Sequence, residues 1–108
     1  MAEALQARVT AQLKLALLGD CGCDKTMDRL EREARSSGMT GAEIDAALAG
    51  RSFEARTTAV VAYACALKAG EIDLVEQARY RASQIGVTAH ELSVIARKVK
   101  QILAAKQR

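Results

Sequence analysis

The chain has 108 residues, half of them apolar but only 3% aromatic, and a net charge of +3. That is the length of a single domain, 1–108. No apolar run approaches the roughly 18 residues of a membrane span, and MAEALQARVTAQ lacks the pattern of a secretory leader. Three cysteines, an odd number, without a leader fit a reducing, cytoplasmic setting.

The periodicities are helical throughout, and no stretch reads as a strand. Leu5, Val9, Leu13 and Leu17 share one face of a first helix. CGCDKTM follows at 21–27, and Met27, Leu30 and Ala34 mark a second helix. Ile44 and Leu48 anchor a short third. AVVAYACAL, 59–67, is apolar on every side, which predicts a fourth helix buried all round, in the monomer or in an oligomer. Leu74, Val75, Ala78, Ala82 and Ile85 line a fifth, and Leu92, Ile95, Val99 and Ile102 a sixth. Gly38, Gly50, Gly70 and Gly86 fall where a left-handed residue ends a helix. The expected fold is all-α, with about six helices in a compact domain. So many alanines bury little area per residue, which favours a core shared between subunits.

Two helix starts are alike. GMTGAEI at 38–44 and GVTAHEL at 86–92 each read as a capping box, Thr40 with Glu43 and Thr88 with Glu91. Met39 with Ile44, and Val87 with Leu92, are placed for hydrophobic staples. Each box follows a helix, so the chain holds two similar helix–Gly–helix units 48 residues apart.

Charge is unevenly spread: residues 1–54 carry −2 and residues 55–108 carry +5. Arg97, Lys98, Lys100, Lys106 and Arg108 crowd the last helix. Cations there complement a helix C-terminus, and no aromatic or groove-reading motif accompanies them, so nucleic acid is not the expected partner.

Cys21 and Cys23, one residue apart, allow three readings: a thiol redox pair, an inert turn, or half of a tetrahedral metal shell. A helix start lowers a thiol pKa and Lys25 assists, while Asp20, Asp24 and Asp28 oppose. A ring closed across one residue is strained and readily reduced, which suits catalysis better than structure. The sole histidine, His90, lies inside the second capping box. Cys65 reads as an inert core thiol, and Tyr63 and Tyr80 as packing residues with satisfied hydroxyls.

LEREARSSGMTGAEIDAALAGRSFEARTTAVVAYACAL resembles the carboxymuconolactone decarboxylase and alkylhydroperoxidase D-like family: a helix ending in Gly38, the capped Thr40–Ile44 start, the Ala49-Gly50-Arg51 turn, Glu54 to Arg56, and the alanine-rich 59–67 helix. GVTAHELSVIARKVKQIL is similar to the family's last capped helix, so the resemblance spans about 15–104. It implies an all-helical fold assembling as trimers or hexamers. In the peroxidase branch it implies a C-x-x-C pair, a histidine four residues beyond the second cysteine, and a glutamate on the preceding helix. Counted back from Gly38, the first cysteine falls on Cys23, the second on Thr26 and the histidine on Leu30. The glutamate falls near Ala11, beside Gln12. The implied function is a thiol-dependent oxidoreductase or peroxidase with a non-standard C-x-C site, catalytic residues Cys23 and Cys21, no cofactor, and a protein or small dithiol as reductant. The alternative is a non-catalytic oligomeric scaffold or partner-binding module of the same fold.

Overall fold

A computed structural model describes residues 2–19 and 24–106. The described residues form six helices and no strand: α1 (Ala2–Leu18), α2 (Asp24–Ser36), α3 (Gly41–Leu48), α4 (Ala55–Ala69), α5 (Ile72–Gln84) and α6 (Ala89–Lys106). All six expected helices are present. α4 and α5 form an antiparallel hairpin through Gly70, while α1 packs against α2, α3, α4 and α6.

α1 is therefore the hub. Leu13, Leu15 and Leu17 are all fully buried. Residues two apart point to nearly opposite sides of a helix, so α1 is covered on both faces, not only along the Leu13–Leu17 face expected. α4 differs in the other direction: Val61 and Ala64 are fully buried, but Ala55, Ala62 and Ala69 are exposed. The helix expected to be enclosed on every side has one open face. On α6, Leu92, Ile95, Val99 and Ile102 are all buried, as their spacing predicts.

The two helix–Gly–helix units share one construction. α2 ends with Met39 N–H donating to Ala34 C=O (3.0 Å) and Gly38 N–H to Arg35 C=O (3.0 Å). α5 ends with Val87 N–H to Ala82 C=O (3.0 Å) and Gly86 N–H to Ser83 C=O (3.1 Å). This paired closure needs a left-handed residue, and Gly38 and Gly86 have φ of 95° and 96°. The next helix then opens with a capping box. Glu43 N–H donates to Thr40 Oγ1 (3.2 Å) and Thr40 N–H to Glu43 Oε1 (3.0 Å). Glu91 N–H donates to Thr88 Oγ1 (3.1 Å) and Thr88 N–H to Glu91 Oε1 (3.3 Å). Met39, Ile44, Val87 and Leu92 beneath the boxes are buried.

A third component extends the repeat to three helices. Arg8 of α1 donates through Nη1 to Gly38 C=O (3.4 Å) and pairs through Nη2 with Glu43. Arg56 of α4 donates through Nη1 to Gly86 C=O (3.5 Å) and pairs through Nη2 with Glu91. Arg8 and Arg56 are themselves 48 residues apart. The molecule is thus α1–α2–α3 followed by α4–α5–α6 on one plan.

These bonds hold both carboxyls below the usual carboxylate range. For Glu43 the main cause is the Thr40 N–H, aided by the Thr40 hydroxyl and Arg8. For Glu91 it is the Arg56 guanidinium, then the Thr88 N–H. A lowered folded pKa contributes stability above the unfolded value and loses it as pH falls through the folded one. In urea denaturation Thr40→Ala and Thr88→Ala should each cost about 1 kcal/mol at neutral pH. The deficit of Glu43→Gln against wild type should shrink below the ordinary carboxylate pKa; a deficit constant across that range would show that the Glu43 charge plays no part.

Candidate functional site

Cys21 and Cys23 lie outside the described residues, in the stretch 20–23 between Gly19 and the first residue of α2, Asp24. The helix ends that bracket this stretch are described. α1 runs out through Gly19, whose N–H donates to Leu15 C=O at 3.0 Å. A Cβ at Gly19 would sit 2.5 Å from both Leu15 O and Leu48 Cδ2, so only glycine lets α1 end against α3. Lys68, in the last turn of α4, reaches over and donates through Nζ to Leu17 C=O at 2.6 Å. An ammonium thus sits on the carbonyl end of α1, where it offsets the partial negative charge of that terminus. The stretch 20–23 then leads in the chain into the N-terminus of α2, a 13-residue helix.

The other positions suggested by the family pattern are described, and none holds a side chain that gains or loses a proton near neutral pH. Thr26 is half-buried in the first turn of α2, and Leu30 is buried in the core. Ala11 is buried. Gln12 beside it is 7% exposed, and its Oε1 has no hydrogen-bond partner. Its amide accepts and donates hydrogen bonds but does not act as a carboxylate base. His90 is exposed on the first turn of α6, beside Glu91. Among the described residues no three His, Cys, Asp or Glu side chains gather into a metal-binding group.

Cys65 departs from the core reading. It is half-buried and lines an open groove of about 740 Å³ between α4 and α5. Small residues such as Ala59, Ala62 and Ala66 form its floor, and Phe53, Leu74 and Ile85 stand along its sides. Leu74 and Ile85, read from periodicity as core, are exposed instead, and Phe53 is 70% exposed. Burial pushes the Cys65 thiol up, partly countered by the Lys68 ammonium one turn away. Tyr63 is buried as expected, whereas Tyr80 is exposed. On the basic last helix, Lys98 is drawn into the fold, donating to Thr10 Oγ1 at 2.8 Å, while Arg97 and Lys100 are exposed; Arg108 lies outside the described residues. No helix among the described residues is long and apolar enough to cross a membrane.

Three residues that matter here escape a reading by motif: Lys68, Arg8 and Arg56. The arginines had a signal in ARVTA at 7–11 and ARTTA at 55–59, which repeat at the same 48-residue offset as the capping boxes. Lys68 had none, because its partner is a backbone carbonyl 51 residues away.

Alkylation followed over pH, with each cysteine mapped by mass spectrometry, should place the half-reactive pH of Cys65 above that of a free thiol. Lys68→Met should move it higher still; a Cys65 that labels like a free thiol would contradict its burial. Compared with known proteins, the chain matches no family model, no curated protein and no solved structure.

Proposed function

We propose that this chain is a thiol-dependent oxidoreductase of the alkylhydroperoxidase D type, with Cys23 attacking peroxide and Cys21 resolving. A thiolate at Cys23 takes the terminal peroxide oxygen, giving a sulfenic acid and releasing the alcohol or water. Cys21 then condenses with the sulfenic acid, losing water and leaving a disulfide. A protein or small dithiol reduces that bond and completes the cycle. The observation that carries this reading is the hydrogen bond from Lys68 to Leu17 C=O. It brings a cation to the helix end that leads into the C-G-C run, while the run itself leads into a helix N-terminus. A cation and a helix N-terminus each lower the pKa of a thiol that lies close to them. In this reading fixed charge replaces the Glu–His relay, whose positions hold Ala11, Gln12 and Leu30. Assembly as trimers or hexamers in the cytoplasm belongs to the same proposal.

A second reading, the non-catalytic oligomeric scaffold or partner-binding module, is favoured by a separate observation: the apolar α4–α5 groove. Its working surface is that groove, and the thiols take no part.

Peroxide consumption with an external dithiol separates the two. The thiol reading expects turnover that Cys23→Ser abolishes and Cys21→Ser lowers, because the sulfenic acid must then wait for the external dithiol. It also expects the pH–rate profile of Lys68→Met to move to higher pH. Serine variants that keep the wild-type rate, or a wild type with no turnover, would leave only the second reading.

A further inference from the structure

The 48-residue repeat sets two equivalent grooves on the molecule. One lies between α1 and α2, about 630 Å³, and takes in Ala7, Thr10, Ala11 and Glu33. The other is the α4–α5 groove, where Ala55, Thr58, Ala59 and Arg81 occupy the matching positions. An ion pair ties the two helices of the first together, Lys14 Nζ to Glu33 Oε2 at 3.0 Å. Its wall carries the polar side chains Arg29, Arg32, Ser36 and Ser37. In the second, Lys14 becomes Ala62, Glu33 becomes Arg81 and Ser37 becomes Ile85. Nothing bridges it among the described residues. One backbone plan therefore carries one groove with mostly polar side chains and one with mostly apolar side chains, so the apolar character of the second is not required by the fold.

From this asymmetry we infer that a second copy of this chain closes the α4–α5 groove across a two-fold axis, with the two α5 helices antiparallel. The inference rests on the second reading, the groove as a docking surface, and replaces the trimers or hexamers that go with the thiol chemistry by a dimer. Charge selects the occupant and its direction. Glu71 and Asp73 stand at the start of α5 and Arg81 in its last turn; all three are exposed and none makes an ion pair among the described residues. Asp73 and Arg81 are separated by about 12 Å along the helix. An antiparallel pair sets Arg81 of each copy against Asp73 and Glu71 of the other, and puts Gln77, midway between them, near the axis. A parallel pair would oppose like charges. Shape agrees with charge. Phe53 projects at the end of the groove remote from the Gly70 turn, and the near end is lined by Ala66, Ala69 and Leu74. Two-fold rotation lays each Phe53 over the other copy's alanines, the self-complementarity that an isologous contact requires. Two helices side by side, each about 20 Å long and about 10 Å across, offer a face of roughly 400 Å² on each copy, the size of a weak, reversible contact.

The test copies the first groove into the second. Ala62→Lys with Arg81→Glu rebuilds the Lys14–Glu33 pair at two exposed positions of the same backbone plan. Sedimentation across the micromolar range should show a wild-type dimer and a monomeric double variant with unchanged helix content. Arg81→Asp alone should weaken association about tenfold or more. Adding Asp73→Arg should restore it, a rescue that only the antiparallel arrangement gives. A wild type monomeric throughout, or a dimer that neither the graft nor the charge reversal touches, overturns the inference. A monomeric wild type that binds an apolar dye, with binding lost in the graft, overturns the second copy as occupant while keeping the groove as a docking surface. A monomer that binds no dye removes the docking surface as well.

Discussion

Each half of the molecule turns on one guanidinium. Arg8 and Arg56 each grip two things at once: the carbonyl of the left-handed glycine that ends one helix, and the carboxylate that caps the next. The planar fork of arginine suits this, because its donors diverge at fixed angles while a lysine offers a single point charge. The glutamate is already committed to the backbone N–H of its threonine, so three helices meet at one small network. Such a surface pair is worth little in isolation. Here it ties α1 and α4 to turns that the glycine and the capping box have already shaped.

Because the latch repeats, the differences between the halves are more informative than the likenesses. Leu17 and Leu18 of α1 correspond to Cys65 and Ala66 of α4 at the 48-residue offset. The leucines are buried among neighbouring helices, while Cys65 is half-buried and lines the groove. Smaller side chains on α4 leave volume beside α5 that leucines fill on α1, and the exposed Phe53, Leu74 and Ile85 border that volume. The run 59–67 is apolar on every side, yet among the described residues one side of α4 stays open, at Ala55, Ala62 and Ala69.

How much of this was legible follows from the range of each interaction. The capping boxes, the glycine ends and all six helices depend on residues within about five positions of one another, and a single sequence displays them. Burial along α6 was legible for the same reason. Periodicity failed at Leu74 and Ile85, because it reports which face of a helix is apolar, not whether anything covers that face. On α1 it named one face because Gln12 and Lys14 interrupt the pattern, whereas Gln12 is in fact enclosed. Lys68 and the two arginines act across 30 to 51 residues, beyond any local pattern. Cys21 and Cys23 stay as the sequence presents them, outside the described residues, and the resemblance to the alkylhydroperoxidase D type rests on helix grammar that a duplicated helical domain also uses.

The electrostatics around the C-G-C run sets a limit on the chemistry proposed for it. A relay of glutamate and histidine takes a proton from one thiol and hands it on, so it assists both attack and departure. A fixed cation such as Lys68 and a helix N-terminus only raise the thiolate fraction. Lowering thiol pKa also lowers the nucleophilicity of each thiolate, so the gain at neutral pH levels off once the pKa approaches the ambient value. Asp20, Asp24 and Asp28 stand close to the run in the sequence, and a carboxylate near a thiol disfavours the thiolate. Within the thiol reading, the positions of that relay hold Ala11, Gln12 and Leu30, so peroxide attack, whose departing oxygen must take up a proton, is the slower half of the cycle.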